Sequence, residues 1–246
     1  MMAKESPVRL PILISPCPIV ECVISINFGS TIVGDAVFGI VYSAFKEMVQ
    51  NLEKQPILQI PEAVRSSDPN LMFQATYRLH CKDFVLQVGP RVFSISFVGE
   101  YPGWKSVSQS AQDVFRKVKD LGFIQDISKF SIRYINLFNN LDIFQNLTLR
   151  IRKDNLPIES RNTVLRFELT VNKFLQVLHI ADPSQVMLQG KITGGSIIDI
   201  DTILQDNLNS FFDEFSSILE NAHYTEKLLF FGLLDPDYLQ HFNPSY

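Results

Sequence analysis

Twice along this chain, apolar and polar residues alternate through successive short runs, and each run ends on a turn signal. In the first stretch Phe73, Ala75, Tyr77 and Leu79 fall on one side, with Gln74, Thr76, Arg78 and His80 on the other. Successive side chains of a strand point to opposite faces, so the run reads as a half-buried strand. Cys81-Lys82-Asp83 turns the chain, residues 84–88 return, Gly89-Pro90 turns it again, and residues 91–98 form a third strand. In the second stretch Leu165, Phe167, Leu169 and Val171 share one face. Asn172-Lys173 is a turn, residues 174–180 return, Asp182-Pro183 turns, residues 186–192 follow, Gly194-Gly195 turns once more, and residues 197–200 form a short last run. Two antiparallel meanders therefore dominate the fold.

Helical periodicity surrounds them. A strand over 20–28 carries Val20, Cys22, Ile24, Ile26 and Phe28 on one face. After it, Asp35 is placed to cap a helix running to about residue 55, with Phe38, Val41, Phe45, Met48, Val49 and Leu52 as its apolar stripe. Tyr101-Pro102-Gly103-Trp104 breaks the first meander. The helix behind it starts either at the proline or at the capping box Ser106/Gln109. That helix turns Val107, Ala111, Val114, Phe115 and Val118 inward and stops at Gly122, before a strand over 130–138. In the second half Asp201 is an N-cap. The helix after it carries Leu204, Leu208, Phe211, Phe212, Phe215, Ile218 and Leu219, and residues 228–234 close as a strand. Residues 77–80 lie over 167–170, the helix after Trp104 over the helix after Asp201, and residues 133–138 over 229–234, as an internal duplication requires. The expectation is an α+β fold: residues 1–140 and 141–246 form two related halves of meander plus helix, in one compact unit. An extended sheet carries its helices on one face, Tyr77, Leu79, Phe167 and Leu169 point to those helices, and Arg78, His80, Arg166 and Glu168 point away.

Composition narrows the function. With 46% hydrophobic and 20% charged residues the chain is neither disordered nor short of core material. From Asp182 onward ten acidic side chains face only Lys191 and Lys227. That bias disfavours a nucleic-acid backbone and permits a basic protein partner. The apolar stretch over 10–26 is broken by Pro11, Pro16, Pro18 and Glu21, which fits neither a signal peptide nor a membrane span, so a cytoplasmic protein is expected. Cys17, Cys22 and Cys81 have no zinc spacing and read as reduced thiols.

No phosphate-binding glycine loop, dinucleotide fingerprint, nucleophile elbow or His-Glu-x-x-His helix is present. Asp199 and Asp201 stand two apart. They could hold a magnesium ion, or serve as a helix cap with favourable acids at the positive helix end. Arg78, His80, Arg166 and Glu168 could converge on the polar sheet face as a ligand platform, or that face could simply be solvated. Trp104 is expected to pack beneath its helix against the strand carrying Tyr134.

The segment Glu100-Tyr101-Pro102-Gly103-Trp104, an amphipathic helix, and then Arg133-Tyr134-Ile135-Asn136 resembles a sporadically distributed family of uncharacterised prokaryotic proteins of about this length. Pro18-Ile19-Val20-Glu21, Leu86-Gln87-Val88-Gly89-Pro90 and Asp199-Ile200-Asp201 match that family's further motifs in order, so the resemblance spans nearly the whole chain. Lys105 stands where the pattern has an acid. The resemblance brings no activity and no cofactor. Its patchy occurrence implies mobile genes such as defence or toxin–antitoxin loci. The leading expectation is a non-catalytic binding or regulatory module for a protein partner or small ligand, with a homodimer compatible and no cofactor or metal required. The alternative is a phosphoester- or nucleotide-processing enzyme using Asp199 and Asp201 with Arg78, His80 or Arg166.

Overall fold

The computed structural model describes residues 10–139, 143–150, 152–153, 156–157, 163–188 and 191–246. Its first part runs β1 (Ile19–Ser30), α1 (Gly34–Phe45), β2 (Asn51–Lys54), α2 (Glu62–Ser67), β3 (Tyr77–His80), β4 (Val85–Gly89), β5 (Val92–Val98), α3 (Trp104–Asp120) and β6 (Ile124–Asn139). Then follow β7 (Arg152–Lys153), β8 (Leu156–Pro157), β9 (Thr163–Val171), β10 (Phe174–Leu188), β11 (Lys191–Leu204), α4 (Phe211–Leu233) and α5 (Pro236–Leu239). Nine strands form one sheet in the order β2-β3-β4-β5-β1-β6-β11-β10-β9, while β7 and β8 pair separately. Every pairing in the large sheet is antiparallel. The fold is α+β, and the two meanders flank the central pair β1–β6, each followed by a long helix.

Register shows how the core forms. Leu79, Leu86, Ile95, Ile24, Ile132, Thr202, Gln176 and Leu169 lie side by side across eight strands. The first five of these are fully buried, because α1, α3 and α4 cover this face. Phe45 of α1 and Phe115 of α3 both pack on Phe93, and Phe211 and Phe215 of α4 pack on Phe130. Phe93, Ile26 and Phe130 are themselves cross-strand neighbours. The outer strand β9 extends past this cover, leaving Phe167 39% and Leu169 38% exposed on the helix-side face. No helix among the described residues is long and apolar enough to cross a membrane.

Several elements depart from the sequence expectation. The first helix ends at Phe45, not near residue 55, because residues 51–54 pair with β3 as the edge strand β2. Met48 and Leu52 are exposed as a result. Asp35 lies in the first turn of that helix and Val33 occupies the N-cap. The strand after residue 73 forms only from Tyr77. Asp182-Pro183 does not turn the chain: it sits at a register shift, a bulge within the continuous strand β10. Gly194 and Gly195 lie inside β11, paired with Gln185 and Ser184. A Cβ at Gly195 would stand 2.4 Å from the Phe138 carbonyl oxygen, so the residue is glycine for close strand approach and not for a turn. Asp201 is likewise within a strand. Ile198, Ile200 and Thr202 alternate with it into the core, and the helix begins only after Asn207 (φ 58°), with Ser210 at its N-cap. Residues 228–233 continue α4 instead of forming a strand, since Phe230 and Leu233 continue its buried stripe, and only Leu234 is extended, in an isolated bridge to Leu147. A short apolar run carries no period that separates the two possibilities. The overlay of 133–138 on 229–234 therefore sets a strand against a helix.

The Gly195 contact is with backbone, which cannot swing aside as a side chain can. Gly195→Ala should cost about 1–3 kcal/mol of unfolding free energy, measured by chemical denaturation. An unchanged midpoint would mean that β6 and β11 separate there at no cost.

Candidate functional site

The residues chosen from sequence as a platform do share the open sheet face. His80, Val85, Ser96, Val23, Arg133, Asp201, Val177 and Glu168 form one row across it. His80 and Glu168 stand at its two ends, seven strand spacings apart, which at about 4.8 Å each is on the order of 34 Å along the sheet. Arg78 and His80 are thus not brought together with Arg166 and Glu168. His80, Arg166 and Glu168 are each paired locally. The His80 ring lies 2.9 Å from Glu53 Oε2 and, with Gln55, holds that carboxyl below its usual range. Arg166 pairs with Glu168 at 2.6 Å.

At the centre of the same face lie the acids of β11. Arg133 donates from Nε (2.8 Å) and from its terminal nitrogen (2.5 Å) to the two oxygens of Asp199. Lys129 is 3.8 Å from Asp201 Oδ2, and burial raises the Asp201 carboxyl while Asp201 Oδ1 has no partner. Ser96 donates to Glu21 at 2.7 Å. Neither aspartate caps a helix. Arg78 and His80 lie five strand spacings from β11, and Arg166 lies two, so these basic groups do not surround the acids. Among the described residues no three His, Cys, Asp or Glu side chains form a metal-binding group.

The other face holds a different cluster, where α3, α4, β6 and the N-terminal arm meet. Gly103 takes φ 86°, a left-handed conformation suited to glycine, and the chain reverses there so that Trp104 opens α3. The Trp104 ring lies flat on His223 of α4, with centroids 3.7 Å apart and planes at 12°. Its Nε1 donates to Glu220 Oε2 at 2.9 Å, and Ser108 donates to Glu220 Oε1 at 3.1 Å. Trp104 is half-buried, so it forms a wall between solvent and core and is not enclosed beneath its helix. Tyr134 of β6 is fully buried. Its hydroxyl lies 2.9 Å from His223 Nδ1, and its ring meets Tyr101 edge-on at 6.0 Å. Asn136, two residues along β6, donates to the Ile198 carbonyl at 3.1 Å.

Of these, Tyr101, Trp104, Tyr134, Asn136 and His223 border a cavity of about 240 Å³, closed by Ile14 and Cys17 of the arm and by Glu226, Lys227 and Phe230 of α4. The arm is held in place by the C-terminal tail: Ile12 N–H donates to the Ser245 carbonyl and Ser15 N–H to the Phe242 carbonyl, both at 2.6 Å. A second cleft, of about 610 Å³ between Ile32, Glu62, Arg91 and Asp126, lies elsewhere. The smaller cavity is distinguished by its titratable groups. Glu226 is 5% exposed and has no hydrogen-bond or ion-pair partner among the described residues. Burial pushes its carboxyl up to about 8, against the pull of Lys227. Burial also drives His223 down to about 3, with Lys227 acting in the same direction. The Tyr101 and Tyr134 phenols and the Cys22 thiol are all pushed up by burial, and the Tyr101 hydroxyl has no hydrogen-bond partner. Near neutral pH the cavity thus presents a neutral imidazole, neutral phenols and a protonated acid, with the Lys227 ammonium at its border.

Four residues of the Tyr-Pro-Gly-Trp turn and two of the Arg-Tyr-Ile-Asn strand line this cavity, whereas Arg133 points to the other face. Sequence reasoning missed His223, Glu226 and the arm. One signal was readable. Phe215, Leu219, Ala222, Glu226 and Phe230 follow helical spacing, and Glu226 is the acid on that buried stripe.

The Glu226 shift fixes a pH dependence. The folded carboxyl holds its proton to about pH 8, while the unfolded one releases it near the ordinary value of 4.5. Stability associated with this group is therefore full below the unfolded value and is lost as pH rises through the folded one. Glu226→Gln should match the wild type near pH 4.5 and become progressively more stable than it toward pH 8, by as much as a few kcal/mol. Parallel thermal melts across that range check this, and a pH-independent difference would place the carboxyl in water.

Among known proteins, the chain matches no family model and no curated protein.

Proposed function

We propose that this chain is a non-catalytic binding module whose ligand is a small molecule held in the cavity between the Trp104 turn, Tyr134 and α4. One observation carries the reading: Glu226 is buried, unpartnered among the described residues and lines an aromatic-walled cavity. A buried carboxyl left without a partner is costly, and natural sequences keep such groups where a ligand completes them. The volume of about 240 Å³ lies below the roughly 300–1,000 Å³ typical of sites for drug-sized molecules, which favours a compact metabolite. Both signature segments line this one cavity, which supports membership of the prokaryotic family they resemble; a cytoplasmic protein encoded in mobile defence or toxin–antitoxin loci is what that resemblance implies. The two flanking meanders support an origin by internal duplication. A regulatory role follows naturally, because the arm that closes the cavity is bonded to the C-terminal tail, so occupancy would act on both ends of the described chain. The phosphoester-processing alternative is disfavoured by the separation of Asp199 and Asp201 from Arg78 and His80, and by the neutralisation of the acids by Arg133 and Lys129.

Trp104 is the single tryptophan of the chain and stands at the cavity wall, so intrinsic fluorescence reports on this site alone. Screening the purified protein against a panel of small metabolites should give compounds that raise the melting temperature and shift Trp104 emission at the same concentration. Saturating ligand at 100 times its dissociation constant stabilises by about 2.7 kcal/mol, an effect a melt resolves. Compounds that raise the melting temperature while leaving Trp104 emission unchanged would move the site elsewhere.

A further inference from the structure

We propose that the cavity is selective for a compact organic cation, a primary amine whose ammonium group pairs with Glu226 and whose apolar body lies among Tyr101, Trp104, Tyr134 and Phe230. This assignment rests on the small-ligand reading above and specifies its chemistry.

Two features of the cavity point to a cation, and a third leaves its acid available to one. The first is the carboxyl itself. Glu226 lines the cavity with its residue 5% exposed, and no described side chain donates to it. An ammonium group supplies three donors and the compensating charge in a single group. The second is the wall. Aromatic faces attract cations through their quadrupoles, and more strongly where water is excluded. Tyr101 and Tyr134 meet edge to face, and Trp104 is held in orientation by His223 and Glu220. The third is the position of the protein's own cation. Lys227 follows Glu226 on α4, and adjacent helix positions point about 100° apart. Its ammonium lies 5.9 Å from the Phe231 ring centroid, one helical turn on. Lys227 therefore borders the cavity and attracts Glu226 without forming an ion pair with it, which leaves the carboxyl open to a ligand's ammonium.

Binding of an ammonium group requires Glu226 to ionise, so each binding event expels one proton from the carboxyl. The groups facing Glu226 are His223 and Lys227 on its own helix, Tyr101 in the turn, Tyr134 on β6, Cys22 on β1 and Cys17 on the arm. His223 is neutral, and burial keeps the phenols and thiols protonated, so Glu226 is the group that changes charge on binding between pH 6 and 8.

The test titrates the full chain with 2-phenylethylamine and with 2-phenylethanol, its uncharged counterpart of nearly equal size, reading Trp104 emission. The amine should bind at least about tenfold more tightly at pH 8, and its affinity should rise roughly tenfold per unit between pH 6 and pH 8. Glu226→Gln replaces a protonated acid with a neutral group of the same shape, so it should fold normally and lose both the preference and the pH dependence. Equal affinity for the two compounds, or a preference that survives in Glu226→Gln, overturns the cation assignment. Binding of the alcohol or of 3-phenylpropionate without the amine overturns it too, while leaving a small-molecule site in place. If none of the three binds and the metabolite panel also leaves Trp104 emission unchanged, the small-ligand reading falls with it.

Discussion

The antiparallel pairing of β1 with β6 is the contact on which the rest of the molecule depends. It joins the two meanders into one sheet, since β5 pairs with β1 on one side and β11 with β6 on the other. It also sets the phase of every strand outward. Ile24 opposite Ile132 and Ile26 opposite Phe130 put the apolar rows under the helices. A slip of one residue would exchange the two faces throughout. Arg133 and Tyr134 show what this phase does to chemistry. Adjacent in sequence, they serve opposite faces, the arginine in an ion pair with Asp199 and the tyrosine in the cavity beside His223.

Much of the architecture was legible because it rests on local period. The stripe on α3, its stop at Gly122 (φ 70°), and the buried face of β1 all follow from spacing alone. So does the assignment of Arg78, His80, Arg166 and Glu168 to the face away from the helices. What failed did so where local and tertiary signals compete. Gly194-Gly195 has turn composition, yet the close approach of Phe138 calls for glycine within a strand. Asp201 has cap composition, yet the alternation of Ile198, Ile200 and Thr202 places it within β11. Residues 46–54 continue a helical stripe on paper, but the unpaired edge of β3 takes up residues 51–54 as β2. The platform failed for a different reason. Period assigns a residue to a face, but sheet order assigns its distance from another residue, and that order depends on which strand inserts between the meanders.

The cavity was not legible as a site because its parts lie far apart in the chain. The arm, the Trp104 turn, β6 and α4 contribute residues from Pro11 to Phe231. The two signature segments pointed toward it, and the cavity gives their spacing a physical basis. The turn must place Trp104 at the start of α3 so that its ring can reach His223, while β6 brings the Tyr134 hydroxyl to the same imidazole.

The layer under α4 is interrupted by polar groups, and this interruption explains why a cavity exists there at all. One apolar cluster gathers around Phe93, Phe115, Phe130 and Phe215, and a second around Leu178, Ile198, Ile200 and Phe230. Between them Gln176 donates to Thr202 Oγ1 and to the Thr225 carbonyl, and Asn136 donates to the Ile198 carbonyl. Glu226 follows Thr225 along the same helix and His223 precedes it. A layer built for stability alone would carry apolar side chains at these positions, since replacing buried polar groups by well-packed hydrophobic ones is often neutral or favourable. Local rules are broken together here: beside a buried acid lie two of the three unpartnered buried polar atoms among the described residues, the Tyr101 hydroxyl and the Gln176 carbonyl oxygen, the third being Asp201 Oδ1 on the other face. Violations concentrated in this way mark a site where stability is given up for function. Filling the seam with leucine would close the cavity and remove its buried carboxyl, so the polar seam and the cavity are best understood as a single feature.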